Sequence, residues 1–199
     1  MSDFFKTLSS PAEGIYKDKM SKFLSFAHPV ETAEEAKEII KAYQKKYFDA
    51  RHVCWAYMIG TSRTEFLSND NGEPSGTAGK PILGQINSFE LTNIVIVVVR
   101  YFGGILLGAG PLSRTYLNSA RVCIDECEKK EIYKYEEFSF ICTYNGYNII
   151  KNKLENYIEN EYVKIQKCDF KENVEMTLDI VDFEFENIKG IIEEVNYGN

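Results

Sequence analysis

Histidine is scarce in this 199-residue chain, His28 and His52 being the only two. The five cysteines (Cys54, Cys123, Cys127, Cys142 and Cys168) are odd in number and include no C-x-x-C pair. A zinc site needs Cys and His ligands at close spacing, so no metal site is expected. Scattered, unpairable thiols fit a reducing compartment, which predicts a cytoplasmic protein. Long apolar runs are also missing. The nearest approach to a membrane span, Ile94 to Leu112, carries Arg100 and four glycines ahead of Pro111, and reads as a core strand followed by a loop. The first residues lack the basic-then-apolar order of a secretory signal. Nucleotide and hydrolase signatures are absent as well. Gly79-Lys80 has Pro74 where a P-loop needs glycine and Pro81 where it needs Ser or Thr, and neither GxGxxG, G-x-S-x-G nor H-E-x-x-H occurs. Ser75, Ser113 and Cys54 have no identifiable partner base, so no catalytic residue and no cofactor is assigned.

The chain does hold an ordinary globular balance, 44% apolar and 27% charged, enough for a real core in one or two domains. Its charge is unevenly divided. Residues 1–135 carry 17 Lys and Arg against 16 Asp and Glu, whereas residues 136–199 carry 6 against 14. The acidic last third repels phosphate backbones, so a polyanion is expected to meet the first portion, if any. No repeat or low-complexity segment is visible.

Eight of the thirteen glycines fall between Ser68 and Tyr116. They flank Ile94 to Val99, an unbroken β-branched run that reads as a strand covered on both faces. Before it, Gly14 to Ala27 predicts two short strands with a polar turn. Thr32 and Glu35 form a capping box that starts a helix ending near Tyr47. His52 to Ile59 is a strand with both faces covered, and Gly60 to Leu67 a turn leading to a short strand. After the core strand, Pro111 to Lys130 is expected to be helical, with Leu112, Tyr116, Ala120, Cys123, Ile124 and Cys127 buried and Lys129 and Lys130 at the negative end of its dipole. From Glu136 the expected order is a strand (Phe138 to Tyr144), a turn at Asn145-Gly146, a helix (Tyr147 to Glu159), two strands (Tyr162 to Phe170 and Val174 to Val181) and a last helix (Asp182 to Val195). That β-α-β-β-α order suggests a small α+β sandwich of ferredoxin-like type. The expected domains are 1–135 and 136–199.

Two glycine loops carry the candidate site. The second, Gly103 to Gly110, includes Gly104 and Gly108 and feeds directly into a helix N-terminus, where free N–H groups and the dipole suit an anion. Arg100 ends the strand before it, with Tyr101 beside it. Arg114 lies in the following helix, and no acid occurs between Glu90 and Asp125. The alternative reading pairs Arg100 with a carboxylate from the first loop and leaves the glycines a packing role. In that first loop, Asp70 and Glu73 could ligate Mg²⁺, with capping of backbone N–H groups the preferred reading. Ser75 and Thr77 supply hydroxyls. His52 at its strand start is read first as a hydrogen-bonding strand-end residue and second as catalytic.

NDNGEPSGTAGKPIL, VVVRYFGGILLGAGPLSRTY and DARHVCWAY together resemble the IMPACT family, the group that includes bacterial YigZ. The likeness runs over about residues 14–125, and GEPSGTAG with RYFGG is a specific pairing. The region after residue 136 resembles the smaller C-terminal domain of the bacterial two-domain form. The resemblance implies an N-terminal domain like domain 2 of ribosomal protein S5 and a C-terminal domain like one from elongation factor G. It also implies a connection to translation, since eukaryotic relatives regulate translation through the general-control kinase pathway, and nucleic-acid binding has been suggested for bacterial members. Three departures stand out. The usual Asp-Asp-Gly-Glu reads Asp70-Asn71-Gly72-Glu73, the usual Gly-Gly before the second helix reads Gly110-Pro111, and the small domain is expected to hold three strands.

Three functions follow as expectations. The first is a non-enzymatic, translation-associated regulator that contacts RNA or a ribosomal partner through its N-terminal domain. The second is an enzyme or sensor that binds a phosphorylated small molecule at the glycine loops. The third is an adaptor whose acidic C-terminal domain docks a basic protein. The first is preferred.

Overall fold

The computed structural model describes residues 4–197. The chain forms two compact units, one spanning Phe5–Ile132 and the other running from Tyr133 onward and including Phe4.

In the first unit β1 (Phe4–Leu8), β2 (Ala12–Asp18) and β3 (Ser21–Pro29) precede α1 (Ala33–Lys46). Then come β4 (His52–Ile59), β5 (Glu65–Asn69), α2 (Gly79–Ser88), β6 (Ile94–Tyr101), α3 (Ala109–Asp125) and β7 (Lys129–Tyr133). Five of these strands form an antiparallel sheet in the order β2-β3-β6-β4-β5, and β1 pairs separately with β7. The central place of β6 explains its composition. All six residues from Ile94 to Val99 are completely buried, and burying each such side chain contributes about 1.5–3 kcal/mol. Period-two alternation divides them between two cores. Ile94, Ile96 and Val98 pack with α2 and α3, whereas Val95, Val97 and Val99 pack with α1. β4 divides the same way, with Cys54, Ala56 and Met58 on the first side and Val53, Tyr57 and Ile59 on the second.

Helix α1 starts at its expected cap. Thr32 Oγ1 accepts from the Glu35 N–H at 3.2 Å, but Glu35 Oε2 reaches back to the Glu31 N–H at 2.7 Å, one residue beyond the usual capping-box partner. Helix α2 is absent from the sequence reading, which assigns no element between Gly79 and the core strand. Pro81 lies in the first turn, where a missing N–H loses no intrahelical bond, and Ile82 and Ile86 are wholly buried. β1 is likewise absent from that reading. The expected helix Pro111 to Lys130 begins earlier and stops at Asp125, leaving Lys129 and Lys130 in β7. Lys129 Nζ nevertheless donates to the Ile124 carbonyl at 3.0 Å, so the lysine still caps the helix end.

The second unit contains β8 (Tyr135–Cys142), α4 (Tyr144–Glu159), β9 (Val163–Phe170), β10 (Val174–Val181), one 3₁₀ turn (Asp182–Glu184) and α5 (Phe185–Tyr197). Its three strands are antiparallel in the order β8-β10-β9, and Ile150, Leu154, Ile188 and Ile192 from the helices fill its core. The expected turn at Asn145-Gly146 is instead the first turn of α4. Thr143 caps that helix by accepting from the Gly146 N–H at 3.1 Å, and an N-cap threonine outweighs the Asn-Gly turn signal.

The two glycines of α2 have opposite reasons to be there. A Cβ on Gly79 would sit 2.7 Å from the Asn69 backbone nitrogen, whereas one on Gly84 would meet nothing within 4 Å. We expect Gly84→Ala to stabilise the protein by about 0.5–1 kcal/mol and Gly79→Ala to destabilise it by about 1–3 kcal/mol. Denaturant midpoints of the two variants check this, and equal midpoints would contradict the close approach.

Candidate functional site

The alternation that buries β6 also aims its last residues in opposite directions. Arg100 follows Ile94, Ile96 and Val98 onto the α2–α3 side, and Tyr101 follows Val99 onto the α1 side. Tyr101 donates there to Asp49 Oδ1 at 3.0 Å. The expected grouping of Tyr101 with Arg100 is therefore corrected by strand geometry. Arg100 is only 5% exposed. Its register partners are His52 on β4 and Phe23 on β3, and its guanidinium carbon lies 5.5 Å from the ring centroids of both Phe23 and Phe102.

The partner of Arg100 is Glu73 from the first glycine loop. Arg100 Nη1 donates to Glu73 Oε1 at 2.6 Å, and the Tyr116 hydroxyl of α3 donates to the same oxygen at 2.8 Å. His52 Nε2 lies 3.7 Å from Glu73 Oε2. The other ring nitrogen, Nδ1, is 2.8 Å from the Asn71 carbonyl, which can only accept, so Nδ1 carries the proton in the neutral ring. The Cys54 thiol is 2.9 Å from the Asp70 carbonyl and 3.4 Å from the Tyr116 hydroxyl. Burial above all, with the carboxylates of Glu73 and Asp70 adding to it, pushes Cys54 up to about 12. Burial first, then the neighbouring Cys54 and Glu73, pushes the Tyr116 hydroxyl far above its ordinary range. Both groups stay protonated at neutral pH and act as donors, which leaves Cys54 unsuited to nucleophilic attack.

Asp70 builds the loop that delivers Glu73. Its Oδ1 accepts from the N–H groups of Ala78 and Gly79 at 2.9 and 2.8 Å, and its Oδ2 accepts from Gly76 at 2.8 Å. It thus caps α2, whose own N-cap Ala78 has no side chain for the task. Burial alone would raise the Asp70 carboxyl, but these three N–H groups together hold it below the usual value of 3.8. Thr77 Oγ1 donates to the Pro74 carbonyl at 2.6 Å, closing the same turn, and Ser75 is exposed. Asn71 accepts from the Val53 N–H through its side-chain oxygen at 2.9 Å, tying the loop to β4. Asp70 is therefore spent on capping, and one oxygen of Glu73 on Arg100 and Tyr116. Among the described residues no group of three or more His, Cys, Asp or Glu is placed to hold a metal ion.

The second glycine loop is open. Cβ atoms on Gly104, Gly108 and Gly110 would meet nothing within 4 Å, while Gly103 lies directly against the Met20 backbone. Gly108 is the N-cap of α3, with φ of 84°, and no side chain caps that helix. A cavity of about 320 Å³ lies between the two loops, lined by His52, Glu73, Arg100, Phe102 and Leu112 together with Gly108 and Ala109. His52, Glu73, Arg100 and Gly108 therefore meet at one place. Arg114 does not join them. It is exposed on α3, outside the cavity, and makes no ion pair among the described residues. Arg121 pairs with Asp125 on the surface at 3.3 Å. The sequence reading missed Tyr116 and Cys54 as members of this cluster. A tyrosine on a buried helical stripe must place its hydroxyl on a partner, and that was the available signal.

The sequence profile of the Impact N-terminal domain matches residues 19–124, more than half of the chain. The chain belongs to the IMPACT family. It is 32% identical over 182 residues to an IMPACT family member of Haemophilus influenzae, covering 90% of this chain and 86% of that one. Against the IMPACT family member YvyE of Bacillus subtilis the identity is 35% over 157 residues, with 78% of this chain and 70% of the relative covered. A crystal structure of a hypothetical protein superposes with a TM-score of 0.69 at 25% identity, covering all of this chain and 96% of that one. The IMPACT match spans β3 to α3, so the Glu73–Arg100 cluster and the cavity lie wholly within it. Among the described residues no helix is long and apolar enough to cross a membrane.

Two stability measurements probe this cluster. Removing one member of a buried pair leaves the other charge uncompensated, so Glu73→Ala should cost about 3–5 kcal/mol in chemical denaturation, and adding Arg100→Met should recover most of that loss. A single variant that unfolds at the wild-type midpoint would contradict the pairing. Asp70 has a folded pKa below its unfolded one, so its contribution is present above the ordinary value and is lost as pH falls through the folded value. The difference in Tm between wild type and Asp70→Asn should accordingly be constant near neutrality and close in acid. A difference that persists unchanged at the acid end would show that the charge of Asp70 is not what matters.

Proposed function

We propose that this protein is a non-enzymatic, translation-associated regulator of the cytoplasm, which contacts RNA or a ribosomal partner through its first unit. Family membership supports the link to translation, because the resemblance to IMPACT proteins carries that expectation. The observation that carries the binding surface is the exposed, uncapped start of α3. Arg114 stands there exposed, outside the cavity and with no ion pair among the described residues, and no acidic residue lies between Glu90 and Asp125. Binding rather than covalent chemistry fits a cluster whose polar groups are engaged with one another and whose thiol and phenol stay protonated. Five free thiols are at home in a reducing compartment.

The two domain likenesses belong to the same proposal. The β8-β10-β9 order with two helices matches three neighbouring strands of a split β-α-β, which supports a ferredoxin-like second unit resembling part of elongation factor G. The likeness of the first unit to domain 2 of ribosomal protein S5 rests on the family. The acidic last third would turn away from RNA, or would meet a basic protein.

The test is a titration of the full chain with transfer RNA and a ribosomal RNA fragment across salt concentrations. Affinity should fall linearly on a double-logarithmic plot, and Arg114→Ala should weaken binding and reduce the slope by about one. Failure to bind at low salt, or an unchanged slope in the variant, would refute the RNA reading.

A further inference from the structure

We propose that the cavity beside α3 binds the phosphate of a single mononucleotide, free or at the end of an RNA strand. This rests on the reading of the α3 start as the binding face and names the chemical group it takes. Arg100 supplies the first observation. It is 5% exposed and lines the cavity, yet among the described residues only Nη1 has an acceptor and the buried Nε has none. Buried guanidinium N–H groups are costly to leave unmatched. The helix supplies the second. Ala109, on the cavity wall, is the first residue of α3 and follows a glycine cap with no side-chain acceptor, and the first turn holds no acid. The Ala109 N–H has no acceptor among the described residues, so Arg100 and an unpaired donor of the helix start line the same space. Arg51, exposed at its rim, adds positive charge.

The rest of the wall describes the rest of the ligand. Phe102, Leu106, Leu107 and Leu112 give an apolar side on which a flat base can lie. Glu73 Oε2 receives no hydrogen bond among the described residues, His52 being 3.7 Å away, and can accept from a sugar hydroxyl. A volume of about 320 Å³ is at the small end of the roughly 300–1,000 Å³ range of ligand pockets, which suits one nucleotide better than an oligomer. Because Glu73 already neutralises Arg100, the anion is held by oriented N–H groups and the helix dipole as well as by net charge.

Calorimetric titration of the full chain with AMP, adenosine, a short RNA bearing a terminal phosphate and the same RNA ending in a hydroxyl tests this. Phosphate-bearing ligands should bind at least about tenfold tighter than their hydroxyl counterparts. The tighter of AMP and the phosphorylated RNA identifies the source. Ala109→Asp places a carboxylate in the first turn, where it favours the helix but repels the ligand, so it should abolish binding while Tm is kept or raised. Arg51→Glu, at an exposed position, should weaken the same ligands. Equal affinity for AMP and adenosine, no binding of either phosphate-bearing ligand, or binding indifferent to Ala109→Asp would overturn the proposal. Salt-dependent binding of long RNA that depends on Arg114 but not on Ala109 would leave the translation reading standing while this one falls.

Discussion

The Glu73–Arg100 contact is the constraint around which the first unit is arranged. It joins the end of the most buried strand to a loop 27 residues earlier, and Tyr116 brings the third helix to the same oxygen. A charge pair so deeply buried is a poor source of net stability compared with an apolar packing of equal volume. Its value is in geometry. With one acceptor oxygen serving both a guanidinium and a phenol, the loop, β6 and α3 have only one mutual placement that leaves no charge unmatched. That placement holds open the space between the two glycine-rich segments.

The two glycine loops reach this place by different means. The first is closed from within, because Asp70 gathers three N–H groups and Asn71 and Thr77 tie its flanks to neighbouring backbone. The second is held at Gly103, which lies on Met20, and at Leu107, which is buried in the core, while Gly104, Gly108 and Gly110 have open space around them. A rigid wall thus faces an adaptable one. Binding surfaces commonly combine the two, since the rigid side lowers the entropy cost of ordering and the open side lets a ligand in.

Much of this was legible in the sequence, for physical reasons that differ by element. The β-branched run from Ile94 to Val99 could only be a doubly covered strand, and Thr32 and Glu35 announced α1. The pairing of Arg100 with a first-loop carboxylate was one of two readings available beforehand, and the cap role of Asp70 was the preferred one for the loop acids. What was not legible depends on contacts between distant segments. α2 is hidden by Gly79, Pro81 and Gly84, none a helix former, and exists because Ile82 and Ile86 find a core and because Asp70 caps it from outside. β1 is short, and its partners are β7, more than 120 residues later, and a single bridge from Lys6 to Leu91. Tyr101 was grouped with Arg100 by adjacency in sequence, which a strand turns into opposition in space. Asn145-Gly146 carries a strong hairpin signal, but the threonine before it starts a helix.

The pairing of β1 with β7 bears on how the region shared across the family should be handled as a piece of protein. Leu8 is completely buried in the core under α2 and α3, the Thr92 N–H donates to the Lys6 carbonyl, and the Ser9 N–H donates to that of Glu128. Residues 19–124, the stretch that the domain profile matches, would omit Lys6, Leu8, Ser9 and Glu128 and the whole of edge strand β2. Such a fragment would bare the backbone of β3 along its length and invite edge-to-edge association. The span that the domain profile matches is shorter than the span whose contacts complete the first unit.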